Sequence, residues 1–476
     1  MRRLAVALVA CSLAACMIGP NYHRPTVDVP PAYRYEIAEA RDAANAAWWQ
    51  QFQDPVLDGL IADALAHNLS IQIAAANVEQ AAAVLTQAKA LLYPQASYSA
   101  DAAEQRGSET GAAPIPATVP NPQTSYQVLA GASWELDLWG RIRRLSEAAR
   151  AQLLATEEAR RGVILSLVAG VANGYVQLRA FDEQLVIAQR TKEAYGASVR
   201  LFELQFKHGL KSRMTVEQAR TQYETAAAAV PQIEAQIAQT ENALSVLLGR
   251  NPGPIPRGLS IEALTMPPVP SGIPSEVLEQ RPDVRQAEQL LVAANAQIGA
   301  AKALYFPTIS LTGAYGTASA ELDNLFKGPS KVWSYTGSIL GPIFAGGAIR
   351  AGVRQTEAAR KAAELGYGAA IQSAFADVDD ALVSRQKLTE QLDAQGRLVA
   401  AAREYARLAQ LQFVGGVAPY MTVLQAQQAL FPAELNEVQL RSLLFASTVN
   451  VYKAMGGGWV AEAEARTQQA EGEPSP

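Results

Sequence analysis

Three histidines, two cysteines and one tight acidic cluster are the residues of this chain whose types could support chemistry. His23, His67 and His208 lie far apart, and none has a second ligand at the spacing a metal site needs. Asp377, Asp379 and Asp380 stand close together inside a long proline-free stretch, where such a run reads as the solvated face of a helix. Arg281-Pro282-Asp283 reads as a helix start, with proline in the first turn and the aspartate favoured by the helix dipole. No phosphate-cradling glycine loop or nucleophile elbow occurs. Neither a cofactor nor an enzymatic reaction is expected from this inventory.

The cysteines point elsewhere. Cys11 and Cys16 leave no thiol further along the chain for a disulfide, a metal or a nucleophile. Arg2 and Arg3 precede an apolar stretch, 4–10, too short to span a bilayer, so residues 1–15 read as a signal peptide. Leu13-Ala14-Ala15-Cys16 resembles a lipobox, in which cleavage precedes the cysteine and acyl chains such as palmitate are attached to it. Each chain would add roughly 0.8 kcal/mol per buried methylene, which makes a multiply acylated Cys16 a firm anchor. Met17, in place of aspartate, resembles the sorting signal for an outer membrane. An ordinary signal peptide with an incidental cysteine is the plainer alternative.

With 40 Lys plus Arg against 45 Asp plus Glu, the chain has no basic footprint for nucleic acid. No later segment reaches the run of about 18 apolar residues that a membrane helix needs, so any spanning element must be a strand.

The elements are organised by an internal repeat. Ala88-Lys89-Ala90-Leu91 and Pro94 return as Ala301-Lys302-Ala303-Leu304 and Pro307, at an offset of 213. Leu204-Gln205-Phe206, Gly209 and Met214-Thr215-Val216 return as Leu411-Gln412-Phe413, Gly416 and Met421-Thr422-Val423, at an offset of 207. This is a tandem duplication: repeat 1 covers 57–250 and repeat 2 covers 276–456. Segment 16–56 precedes them as an anchor and equatorial segment. The Pro-rich stretch 251–275 links them within an equatorial belt, and a polar tail, 457–476, follows.

Each repeat is expected to run helix, two strands around a loop, very long helix, glycine turn, helix. Apolar residues recur at helical spacing from Leu57 towards Tyr93, and Pro94 ends that helix. The period then changes to two: Tyr126, Val128, Ala130, Ala132, Trp134 and Leu136 alternate with mostly polar neighbours. Ile309, Leu311 and Tyr315, then Trp333, Tyr335, Gly337 and Ile339, repeat the alternation. Such strands suit a barrel with lipid outside and water inside, with 106–124 and 319–331 as outer loops. Four strands cannot close a barrel when at least about eight are needed, so the barrel would be shared between chains. A water-soluble sheet packed on the helices is the alternative.

No proline interrupts 140–208, which would extend about 100 Å as one helix. Helices 57–93 and 214–249, end to end, would match it at about 110 Å, and 348–414 stands in the same relation to 280–306 and 421–455. Pro231 and Pro432 fall inside the shorter helices, where they kink a helix or sit near its first turn.

Gln280-Arg281-Pro282-Asp283-Val284-Arg285-Gln286-Ala287-Glu288 with Ala301-Lys302-Ala303-Leu304-Tyr305-Phe306-Pro307 resembles the signature of the outer-membrane efflux family typified by TolC. Cys16, Gly19-Pro20-Asn21-Tyr22, Arg24-Pro25 and Leu136-Asp137-Leu138-Trp139-Gly140-Arg141 resemble its NodT-like lipoprotein branch. The resemblance implies a mixed α and β membrane protein, a homotrimer. Its twelve-stranded β-barrel in the outer membrane would be continued by a long periplasmic α-helical barrel. The implied role is a passive exit channel for small toxic compounds in a tripartite system. Its partners would be outer-membrane lipid, a periplasmic adaptor of the membrane-fusion type and an inner-membrane transporter of the RND type. A duct for type I protein secretion and a lipid-anchored periplasmic coiled-coil scaffold are the competing readings.

By the same resemblance, two helix hairpins close the periplasmic mouth and meet the adaptor. They fall on Gly209, Leu210, Lys211 and Ser212 and on Gly416, Val417 and Ala418, and a helix reversal has its own use for a glycine. Where family gates carry carboxylates and an arginine, this chain has Ala418, Thr422, Gln425 and Gln428, with Tyr420 and Met421 beside them. The expectation is a neutral gate narrowed by Tyr420, Met421 and Gln425 and insensitive to acid.

Overall fold

The computed structural model describes residues 17–26, 47–112, 115–116, 118–269, 280–456 and 460. Signal segment 1–15, Cys16, most of 16–56, the end of the linker and nearly all of the tail lie outside these residues. A short 3-10 turn, Trp48–Phe52, opens the described order of elements. There follow helices α1 (Pro55–His67) and α2 (Leu69–Ala90), strands β1 (Gln95–Gln105) and β2 (Gln123–Leu136), and helices α3 (Arg141–Lys207) and α4 (Arg213–Leu247). The second half runs α5 (Pro282–Ala303), β3 (Thr308–Ser319), β4 (Lys331–Leu340), α6 (Ala348–Val414) and α7 (Tyr420–Ala454).

The duplication is visible in the lengths. α3 and α6 are both 67 residues, and α4 and α7 are both 35. One expected helix is broken: 57–93 divides into α1 and α2 at Asn68, whose backbone is extended. The side chain makes that break favourable. Asn68 Oδ1 accepts from the N–H groups of Ser70 and Ile71, capping α2, while Nδ2 donates to the Leu247 carbonyl at 2.8 Å. α2 stops at Ala90, and the Leu92 and Tyr93 N–H groups tighten onto Lys89 and Ala90 before Pro94.

Contacts divide the chain into two units. One gathers 17–26, 77–156 and 286–367 and holds the sheet; the other gathers 47–76, 157–285 and 368–460 and holds the helical core.

In the helical unit, α3 buries Ile164, Val168, Val171, Ala172 and Tyr175, the i, i+4, i+7, i+8 stripe of a core-facing helix. One stretch of α3 is long and apolar enough to cross a bilayer, but 61% of it is buried in the fold, so its hydrophobicity packs a core. The segment preceding α1 supplies the largest side chains of that core. Trp48 stacks on Tyr452 at 5.4 Å and Phe52 on Phe445 at 5.6 Å. Asp54, fully buried, caps α1 through Val56 N–H and accepts from Tyr175 Oη at 2.7 Å and Leu259 N–H at 3.0 Å. With three donors the buried carboxylate is satisfied. Burial and this bond to Asp54 raise the pKa of Tyr175, so it stays the donor.

In the sheet unit the four strands form an antiparallel meander in the order β1-β2-β3-β4. Among the described residues, β1 and β4 pair on one side only, and every residue of both is exposed.

Candidate functional site

The sheet's register sorts its side chains into two chemically different faces. Tyr98, Ala130, Tyr315 and Trp333 lie in one row across the four strands, and Ala96, Ala132, Gly313 and Tyr335 in the next on the same face. Trp333 and Tyr335 stack at 5.7 Å, both largely exposed. The opposite face carries Ser97, Gly131, Ala314 and Ser334 in one row and Gln95, Ser133, Thr312 and Thr336 in another. An apolar, aromatic face backed by a small and polar one is the pattern of a strand set with lipid on one side and water on the other. β2, β3 and β4 are the strands the alternation predicts, whereas β1 enters the expectation only through the two strands each repeat should carry.

The chain just beyond Cys16 is tied to this unit. Ile18 N–H donates to the Trp139 carbonyl at 3.1 Å. Arg144, 1% exposed, donates to the carbonyls of Ile18 and Gly19 and to Asn21 Oδ1. Asn295 holds the Pro20 carbonyl, and Arg24 and Tyr22 both bond Glu288. Arg144 pairs with Glu147 on its own helix at 2.8 Å and takes its other acceptors from this one segment, which makes the segment part of the fold. Sequence alone did not single out Arg144; the signal was an arginine on the apolar side of the first turns of α3.

Both hairpins of the helical unit have the same backbone. At the first, Gly209 N–H bonds Phe206 O and Leu210 N–H bonds Gln205 O; at the second, Gly416 N–H bonds Phe413 O and Val417 N–H bonds Gln412 O. This is the Schellman end of a helix, and Gly209 and Gly416 both sit at φ +73, where a side chain would be strained. Ser212 Oγ then accepts from Thr215 N–H to start α4, whereas α7 starts behind Pro419 with no side-chain cap. Leu210 and Val417 are 72% and 81% exposed, so the tips present apolar groups outward. Lys211 places its ammonium 5.8 Å from the Phe413 ring centre, linking the first hairpin to the second.

The residues expected at the gate separate. Met421, Gln425 and Gln428 are exposed on one face of α7 at i, i+4 and i+7, with Thr422 and Ala418 half-buried. The first turn of α7 carries no acidic residue. Tyr420 departs from the expectation. Its ring is 8% exposed and packs edge-on against Phe202 at 4.2 Å and Phe413 at 5.4 Å, so it fills the hairpin core and cannot narrow an aqueous opening. Burial raises its pKa, as it raises that of Tyr195 to about 12. Phe202, unnoticed in the sequence, and Phe413, met there only as a repeat position, form with Tyr420 the cluster that joins the second hairpin to α3.

Asp377 is more than a solvated face. Arg281, 7% exposed, forks onto both oxygens of Asp283, donates to Asp377 at 2.8 Å and reaches the Ala454 carbonyl. A cavity of about 660 Å³ opens beside this network. The start of α5 at Pro282, with Asp283 in its first turn, is as the sequence indicates. His67 Nδ1 lies 3.1 Å from the Asp63 carbonyl, and among the described residues no three His, Cys, Asp or Glu side chains converge as metal ligands would.

Comparison with known proteins gives one consistent result. The family model described as outer membrane efflux protein matches residues 60–250 and 273–457. The chain is 36% identical to a Pseudomonas putida protein named toluene efflux pump outer membrane protein TtgC, over 98% of each chain. It is 34% identical to the Escherichia coli cation efflux system protein CusC, over 94% of this chain and 98% of that one. Among solved structures, the open state of the Neisseria gonorrhoeae MtrE outer membrane channel superposes with a TM-score of 0.82. The two share 33% identity over 93% of this chain and 99% of that one.

Proposed function

The chain belongs to the outer membrane efflux protein family, and on that footing we propose that three copies close their four-stranded sheets into one barrel. The trimer acts as the passive exit component of a tripartite efflux system. The observation that carries this reading is the sheet: apolar on one face, polar on the other, and unpaired along both edges among the described residues. Unpaired backbone in lipid costs several kcal/mol per group, and pairing β4 of one copy with β1 of the next removes that cost. Acyl chains on Cys16 anchor each copy in the outer membrane, and the tied segment that follows fixes where the anchor attaches.

The exposed apolar tips at Leu210 and Val417, with Lys211, Ser212 and Ala418 beside them, dock a periplasmic adaptor, which an RND-type inner-membrane transporter supplies with substrate. The mouth between the second hairpins is lined by Met421, Gln425 and Gln428, with Thr422 at its margin. It closes by packing and neutral hydrogen bonds, without a titrating carboxylate. The cargo is small toxic compounds, the class to which the toluene named for TtgC belongs, and the channel performs no covalent chemistry. Conductance of the purified oligomer in planar bilayers tests the channel. Deletion of the gene followed by exposure to solvents, dyes and antibiotics tests the cargo. Absence of any conductance, or unchanged tolerance to every compound class, would sink the respective half of the proposal.

A further inference from the structure

The two offsets of the internal repeat reach into the sheet. The first, 213, carries Gln95 onto Thr308, and the second, 207, carries Ser133 onto Leu340. Gln95 pairs with Ser133 and Thr308 with Leu340, so the β1-β2 and β3-β4 hairpins repeat in register as well as in sequence. Gly140 and Gly347, again 207 apart, both sit at positive φ, so the match continues into the turns before α3 and α6. One pairing within the copy has no counterpart there. β2 joins β3 from Tyr126 opposite Ser319 to Leu136 opposite Ile309, whereas the equivalent edges, β4 and β1, are unpaired among the described residues. β4 also stops at Leu340, before Ile343, the equivalent of Leu136, and Ile343 and Phe344 are 103% and 89% exposed.

The same offsets, applied to the β2-β3 pairs, set one copy's Trp333 against the partner's Arg106 and Tyr335 against the partner's Glu104. They set Ile339 against the partner's Ala100 and Gly341 against the partner's Tyr98. All of these positions share the apolar face, as a lipid-facing surface that continues across the seam demands. Large side chains then meet small ones, Ile339 on an alanine and a tyrosine on Gly341. At the outer end the guanidinium of Arg106, whose pair with Glu109 is 3.8 Å long and mostly in solvent, meets an indole. A slip of two residues one way sets Lys331 against the partner's Arg106, like charge on like. The opposite slip takes the partner's Glu104 one row deeper, beside Gly337 on the lipid side.

The inner end of the seam differs from its counterpart within the copy. There, Trp139 closes the turn after β2 by stacking on Phe306 at 4.9 Å and donating Nε1–H to the Pro307 carbonyl at 2.7 Å. The offsets carry Phe306 onto Tyr93 and Pro307 onto Pro94, but Trp139 onto Gly346. A Cβ on Gly346 would meet nothing within 4 Å, and Tyr93 is 67% exposed. The ring that the second repeat offers at this turn is Phe344.

We infer that one copy's β4 joins the partner's β1 in the register by which β2 joins β3, and that at the inner end Phe344 stacks on the partner's Tyr93, as Trp139 stacks on Phe306 within a copy. The existence of the seam rests on the closed barrel proposed above, and the pairs along it rest on the repeat. Cysteine pairs read them directly, because the chain has no cysteine beyond Cys16. In the full-length protein in membranes, Ile339→Cys with Ala100→Cys should link copies into covalent dimers and trimers on denaturing gels under mild oxidant. The yield should exceed that of Ile339→Cys with Tyr98→Cys, or with Ala102→Cys, by roughly tenfold, since diagonal Cβ atoms lie about 7 Å apart and a disulfide needs about 4 Å. Highest yield from a slipped pair, or no link from any pair in an intact oligomer, overturns the register. A wild-type chain that forms no oligomer overturns the closed barrel, and the seam with it. Phe344→Ala and Tyr93→Ala should each lower the temperature at which the oligomer dissociates, and the double variant should lower it by no more than the larger single effect. Phe326→Ala, exposed between β3 and β4, should leave it unchanged. Additive single effects, or none, overturn the stack.

Discussion

Truncating Phe202 to alanine removes the side chain on which the second hairpin rests. The residue is 1% exposed, its ring centre 4.2 Å from Tyr420 and 6.1 Å from Phe413, and the Lys211 ammonium stands over Phe413. Deleting a buried phenylalanine costs about 3–5 kcal/mol in all, and each ring pair accounts for about 0.5–1.5 kcal/mol beyond burial. Of what Phe202 contributes, the two ring pairs are the part that acts between α3 and the second hairpin, so the bias they place on the hairpin is about 1–3 kcal/mol per copy, or about 5- to 150-fold. Phe202→Ala should therefore raise the open fraction of the purified channel by at least the lower factor, and Phe202→Leu, which keeps most of the apolar volume, by much less. Planar-bilayer recordings give the open fraction, and a denaturant melt gives the stability loss. If Phe202→Ala lowers the melt midpoint as expected while open fraction stays at the wild-type level, the aromatic cluster supports the helices and has no part in the mouth.

Three other outcomes are expected. A Cβ on Gly316 would lie 2.0 Å from the Val128 carbonyl oxygen, so Gly316→Ala should part β2 from β3 and abolish heat-resistant oligomers on gels. Gly328→Ala, with open space around it, should not. Burial opposes ionisation of Asp283, but the bond and charge of Arg281 outweigh it and hold the carboxyl below its usual range. A depressed folded-state value stabilises the fold above the unfolded pKa of about 4 and is lost as pH falls through the folded one. Wild type should thus lose more stability than Asp283→Asn between about pH 5 and pH 3 in urea melts, by a small margin because the side chain is half exposed. Gln425→Asp should place a carboxylate from each copy at the mouth; conductance that then falls with added divalent cations and recovers at acid pH is expected, against a flat response in wild type.

Much of this was legible because long-period features dominate the sequence. Absence of proline over 140–208 set α3, the shared Gly209 and Gly416 set the turns, and alternation around Trp134 and Trp333 set the strands and their apolar face. Asn68 was not legible, because one capping side chain can divide a helix whose hydrophobic period continues on either side. Tyr420 was misplaced for a related reason. Position in a hairpin does not say which way a ring turns, and Phe202, distant in sequence, decides it. Arg144 carries a charge that propensity places at the surface, and only tertiary partners make it internal.

The one-sided pairing of β1 and β4 has a genetic consequence. A copy with a ruined β4 edge, for instance with prolines at alternate positions, still offers a sound β1 to its neighbour and so enters mixed assemblies before the ring fails to close. With equal amounts of sound and damaged chain, roughly seven of every eight three-membered rings would hold at least one damaged copy. Such an allele should be dominant over the wild type, poisoning export by stoichiometry, whereas an allele that prevents folding of the whole chain should be recessive. Co-expression of the two kinds of allele with wild type, scored by tolerance to a transported compound, separates them.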